Sequence, residues 1–203
     1  MKLFAGELSP VAGEVLIGGH DFSGPLKHAL RKHIAYVDSR SAVFNGTIIE
    51  NLTMFGAVSD IAHARMAAKL IGLEKEIHLL PKGYDTPLGA DLAGKIPASP
   101  LQRICIARAL AGEPKILVLD EANAQLDQQA EKGLVNALYR LKGHLTVIIV
   151  THRPSMLAVA DRQYKLADGR IEEISEGIET GARNAGISAC PVPCSILKTC
   201  ARK

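Results

Sequence analysis

Two acidic residues stand side by side at the end of an apolar run, Ile116-Leu117-Val118-Leu119-Asp120-Glu121. Consecutive apolar residues suit a strand buried on both faces, and open α/β sheets collect ligand chemistry at the carboxyl ends of such strands. A carboxylate there can hold Mg²⁺, and a second acid beside it can polarise an attacking water. The competing reading is a strand followed by an exposed acidic turn. A second apolar run, Leu145 to Val150, ends at Thr151-His152-Arg153 and brings an imidazole to a strand end. Taken alone, such a histidine is ordinarily a surface residue. Asp127 opens a periodic stretch and reads as a helix cap.

These side chains need elements to place them. Residues 2–8 read as the end of a helix stopped at Ser9-Pro10. Glu14 to Ile17 reads as a strand before a Gly18-Gly19 turn, Pro25 to Lys32 as a short helix, and Ile34 to Val37 as a strand. From Asp60 to Leu70 the period is helical: Ile61, Ala64, Ala68 and Ile71 share a face, and Gly72 is the expected cap. Pro81 to Pro100 is rich in glycine and proline and reads as loop. Ser99 and Pro100 suit the N-cap and first position of a helix to about Ala111. A further helix runs from Asp127 to about Leu141. Tyr164–Leu166 and Arg170–Ile174 flank Ala167-Asp168-Gly169 as a hairpin. Beyond Glu176 the periodicity stops. Alternating apolar strands and helices predict an α/β fold with a mostly parallel sheet.

Composition narrows the function classes. The chain has 203 residues, 47% hydrophobic and 22% charged, the balance of a globular domain. Its apolar runs fall far short of the ~18 residues of a membrane helix. A net charge of +3 with 4% aromatic residues argues against a nucleic-acid partner. Four cysteines make no disulfide framework. Cys105 falls in a helix expected to be buried, which makes it a packing residue. Cys190, Cys194 and Cys200 fall in the last stretch, read as an unstructured tail, with a metal site or mixed disulfide as the alternative.

Taken together, the motifs resemble the ATP-binding cassette (ABC) ATPases over residues 1 to about 175. Leu101-Gln102-Arg103-Ile104-Cys105-Ile106-Ala107-Arg108-Ala109-Leu110 matches the stretch after that family's signature. Asp120-Glu121 matches its Walker B ending, Ala124-Gln125-Leu126-Asp127 its D-loop, and Thr151-His152-Arg153 its switch histidine. Two further segments resemble exporters: Val43-Phe44-Asn45-Gly46-Thr47-Ile48-Ile49-Glu50-Asn51-Leu52 and Leu80-Pro81-Lys82-Gly83-Tyr84-Asp85-Thr86. Leu8-Ser9-Pro10-Val11-Ala12-Gly13-Glu14-Val15 resembles the segment that follows the family's P-loop helix. The resemblance implies a RecA-like P-loop NTPase fold, with helices on both faces of the sheet and a helical subdomain at about 53–112. It implies ATP and Mg²⁺ as cofactors, with Asp120 as the Mg²⁺-side acid acting through water. Glu121 would be the general base, His152 the γ-phosphate contact, and Asp127 a nucleotide-side group at a dimer interface. A transmembrane domain and a second nucleotide-binding domain, as homo- or heterodimer, are the implied partners. The implied place is peripheral, on the cytoplasmic face of the plasma membrane.

The departures matter as much. No Gly-x-x-x-x-Gly-Lys-Ser/Thr occurs, and the P-loop and its strand are expected to lie before residue 1, on a parent chain or lost. Gly89-Ala90-Asp91-Leu92-Ala93-Gly94-Lys95-Ile96 imitates that motif but ends in Ile96, and follows no buried strand. The signature falls on Ile96-Pro97-Ala98-Ser99-Pro100. Proline has no amide to offer a phosphate, which leaves Ser99 and the helix N-terminus. The Q-loop glutamine falls on Ser39, which is too short to reach the metal and water. Losing three charge-assisted hydrogen bonds costs roughly 5 kcal/mol, on the order of 10³–10⁴ in affinity. The chain alone is therefore expected to bind ATP weakly or not at all. Three readings stay open: part of an exporter ATPase, a non-catalytic cassette half, and an eroded fragment.

Overall fold

The computed structural model describes residues 1–40, 42–57, 60–89 and 96–174. The three clustered cysteines and most of the imitation P-loop lie outside them.

Strands β1 (Leu16–Ile17) and β2 (His20–Asp21) form an antiparallel pair around Gly18-Gly19. Helix α1 (Lys27–Arg31) leads into β3 (Ile34–Val37). Strand β4 (Gly46–Thr47) passes directly into α2 (Ile48–Thr53), and α3 (Asp60–Leu70) and α4 (Glu74–Leu79) follow. A 3-10 turn at Gly83–Asp85 precedes β5 (Pro87–Leu88), which pairs antiparallel with β4. Then come α5 (Ala98–Ala111), β6 (Ile116–Asp120), α6 (Gln128–Leu141), β7 (Thr146–Val150) and the short α7 (Pro154–Leu157). The hairpin of β8 (Tyr164–Ala167) and β9 (Arg170–Glu173) turns at Asp168-Gly169, both at positive φ.

The organising sheet is parallel, in the order β3-β6-β7. Its middle strand carries the solid apolar run, because only a strand covered on both faces buries every residue. Leu117, Val118 and Leu119 are at most 1% exposed. Val118 packs with Phe22 and Ile34 in a small cluster, while Leu117 and Leu119 join the main core. Helix α6 covers the sheet with Ala130, Leu134, Ala137, Leu138 and Leu141, a helical spacing that leaves its charged residues largely outside.

Helices α2, α3 and α5 pack on one another. A reciprocal cap starts α2: Thr47 Oγ1 accepts from the Glu50 amide at 3.2 Å, and Glu50 Oε2 accepts from the Thr47 amide at 2.6 Å. Gly72, at φ +75°, closes α3 as its position predicts.

The structure corrects three sequence expectations. Residues 2–8 form hydrogen-bonded turns, closed at Gly6 with φ +71°, rather than the end of a helix. Ser99 is not an N-cap: α5 starts at Ala98 with Pro97 as its cap residue, and Ser99 sits inside the first turn. Strand β7 is half-buried rather than buried, because among the described residues it pairs on one side only.

Candidate functional site

The register Asp120↔Val150 aligns the ends of β6 and β7, so the residues that follow them emerge at one edge. Asp120 ends β6, half-buried, and its Oδ2 accepts a hydrogen bond from the Tyr36 hydroxyl at 2.8 Å. Burial, then that bond and the charge of Asp120, push the Tyr36 phenol up to about 12. Glu121 follows in the left-handed region at φ +53°, a conformation that costs a non-glycine residue on the order of 1 kcal/mol. Its amide donates to Val150 O at 3.0 Å and so prolongs the ladder by one step. Its carboxylate Oε1 lies 2.9 Å from His152 Nε2.

The His152 side chain is 91% exposed, so this pair adds at most about 1 kcal/mol to stability. The same exposure leaves the imidazole open to a ligand. Thr151, half-buried beside it, donates through Oγ1 to Asn123 Oδ1 at 3.1 Å. Asn123 is 2% exposed, and its Nδ2 is a buried donor without a partner among the described residues.

Asp127 caps α6 through the Ala130 amide at 2.9 Å. Its other oxygen accepts from the Ser99 hydroxyl at 2.6 Å, which ties the start of α5 to the start of α6. That hydroxyl, followed by the Ala130 amide, holds the Asp127 carboxyl below the usual range. Ser39 stands half-buried two residues beyond β3. Its neighbour Asp38 is fixed to α5 by Gln102 Nε2, which donates to Asp38 O at 2.7 Å. Asp120, Glu121 and His152 thus meet at one sheet edge, and Ser99 and Asp127 meet in a hydrogen bond, while Ser39 lies at the end of a neighbouring strand.

Sequence reasoning passed over the partners. Tyr36 and Asn123 carry no motif signal and Thr151 enters only as the neighbour of His152; the fold sets Tyr36 against Asp120 and Thr151 against Asn123. Asn51 was equally silent. It is wholly buried, binds Phe44 through both its amide and carbonyl, and accepts from Arg108 Nη2 at 2.8 Å. The exporter-like segment carrying Asn51 and the run carrying Arg108 were the available signal.

The donor set suits a small hard cation held by one carboxylate together with waters and phosphate oxygens. Among the described residues no group of three or more His, Cys, Asp or Glu is placed to hold a metal ion unaided. At the start of α5 the cap residue Pro97 and Pro100 lack amide protons, which leaves the amides of Ala98, Ser99 and Leu101.

Comparison with known proteins agrees with this geometry. The family model for ABC transporter matches residues 1–124. The chain is 38% identical over 161 residues to the ATP-dependent lipid A-core flippase of Saccharophagus degradans, an alignment covering 79% of this chain and 27% of that protein. It is 36% identical over 164 residues to the alpha-hemolysin translocation ATP-binding protein HlyB of Escherichia coli, covering 81% of this chain and 23% of that one. The chain therefore spans about a quarter of the length of these relatives. Among solved structures, a bacterial Atm1-family ABC exporter with ATP bound superposes with a TM-score of 0.77 at 32% identity, covering 85% of this chain and 30% of that one. A family model that matches more than half of the chain, relatives at 36–38% identity and a solved exporter of the same fold agree, and the chain belongs to the ABC transporter family.

Proposed function

We propose that this chain supplies the hydrolytic side of the nucleotide-binding domain of an ABC exporter. The observation that carries the reading is the meeting of Asp120, Glu121 and His152 at the ends of two adjacent parallel strands, with Glu121 and His152 2.9 Å apart. Residues 1–175 form the partial ATPase domain, with a helical part at about 53–112, and 176–203 form a tail. When bound, Mg²⁺ supplies charge neutralisation on the phosphate oxygens. Asp120 is the residue that would hold that ion, through water, with the Tyr36 hydroxyl steadying its carboxylate. Glu121 accepts a proton from the attacking water. His152, open to solvent, donates to the γ-phosphate. Asp127 and Ser99 face a second nucleotide-binding domain.

The reading needs a phosphate cradle, and the Gly-x-x-x-x-Gly-Lys-Ser/Thr pattern does not occur in these 203 residues. The partner that makes hydrolysis useful is a transmembrane domain, which places the chain at the cytoplasmic face of a membrane. No helix among the described residues is itself long and apolar enough to cross one. A second reading, a non-catalytic cassette half beside an active one, is favoured by the first turn of α5. Pro100 there and the cap residue Pro97 lack amide protons, and the Ser99 hydroxyl is already engaged by Asp127.

The test extends the chain at its N-terminus with the P-loop strand, loop and helix of the S. degradans relative and assays ATP hydrolysis. The catalytic reading expects turnover that falls about 100-fold or more in Glu121→Gln, the loss typical of a general base. Equal turnover in both would move the assignment to the non-catalytic half.

A further inference from the structure

The segment that carries His152 grips the 121–127 loop at successive points. The Glu121 amide donates to Val150 O, and the Glu121 carboxylate meets His152. Thr151 donates to Asn123. Arg153 then reaches across the rest of the loop: Nη2 donates to Ala124 O and Nη1 to Leu126 O, each at 3.3 Å. Leu126 is followed directly by Asp127.

Arg153 is itself anchored. Its guanidinium pairs with Glu131 on α6, whose other oxygen accepts from Ser155. Its amide donates to Thr151 Oγ1 at 3.1 Å. The Glu131 side chain is only 11% exposed, so this end of the bridge is firm, in contrast to the exposed His152 pair. A planar fork with several donors can serve two carbonyls and a carboxylate together, whereas an ammonium acts as a point charge.

We propose that Arg153 is a positioning residue for the ATP site: from the strand end that bears His152 it fixes the 121–127 loop, and so sets Glu121 and Asp127 in place together. The role rests on the ATPase reading above, but the loop's placement can be read without nucleotide.

The experiment is amide hydrogen exchange on the full chain, beside thermal melting, for wild type, Arg153→Ala and Arg153→Lys. The reporters are the amides of Ala124 and Leu126, bonded within the loop to Glu121 O and Asn123 O. Both variants are expected to exchange these amides about tenfold faster or more, with β6 and α6 amides changed less than about twofold. Arg153→Lys is expected to recover the melting temperature, because it still pairs with Glu131, while its loop stays fast. Unchanged loop exchange would overturn the proposal. So would loop and α6 amides that accelerate together in alanine and recover together in lysine, since that is the behaviour of a purely structural ion pair. A failure of the ATPase reading appears instead in the hydrolysis of the extended chain, which leaves this measurement intact.

Discussion

Asp127 serves two masters at the residue scale, the α6 amide of Ala130 and the hydroxyl of Ser99. Both stabilise its ionised form, so its folded pKa lies below its unfolded one. Stability from such a group is fully present above the unfolded carboxylate range and is lost as pH falls through the folded pKa. Removing the Ser99 hydroxyl by Ser99→Ala is expected to raise the Asp127 pKa toward the ordinary value, read by NMR titration of its carboxyl carbon. It should also weaken the acid dependence of unfolding. An unshifted Asp127 would contradict the Ser99 contact. What the sequence made legible at this scale was residue type at a motif position. Asp120, Glu121 and His152 stand out because each closes or follows a solid apolar run. Tyr36 and Thr151 do not, because a phenol or hydroxyl becomes informative only once a partner is known to be within 3.1 Å.

At the scale of elements, periodicity worked where an element is long enough to repeat. The 11 residues of α3 and the 14 of α6 present several turns, and their apolar faces are readable, whereas α5 is buried all round from Leu101 to Ala107. Helices α2 and α4 have six residues each, too few to establish a period, and α2 depends on the Thr47–Glu50 cap and the buried Asn51 instead. The start of α5 was misplaced by two residues because Ser-Pro is a strong opening signal, yet Pro97 sets the cap and Ser99 turns to Asp127. Strand β7 shows what a one-dimensional pattern omits. Its apolar run suits an inner strand, but among the described residues one edge is bare. Unpaired backbone groups beside half-buried valine and isoleucine invite pairing with another chain. The 203-residue chain is therefore expected to self-associate with rising concentration and to melt broadly, followed by analytical ultracentrifugation and circular dichroism. A monodisperse monomer with a sharp cooperative melt would contradict that.

The whole molecule brings Asp120, Glu121 and His152 to one sheet edge and ties the starts of α5 and α6 together through Ser99 and Asp127, while Pro97 and Pro100 offer no amide at the start of α5. Family membership was legible from motif order, since the sequence retains the acids, the loop to Asp127 and the histidine at consistent spacing. The site was legible only in part: motif spacing singled out Ser99, Asp120 and Asp127, but the engagement of Ser99 by Asp127 and of Asp120 by Tyr36 needed three dimensions. The central claim is that these residues complete an ATP site without being one by themselves. Isothermal titration with Mg-ATP tests it most directly, on the chain alone and on the chain extended by a P-loop segment, each with Asp120→Asn alongside. The account predicts millimolar or weaker binding by the chain alone, and micromolar binding by the extended chain that weakens about tenfold or more in Asp120→Asn. Micromolar binding by the unextended chain, or none by a folded extended one, would contradict it.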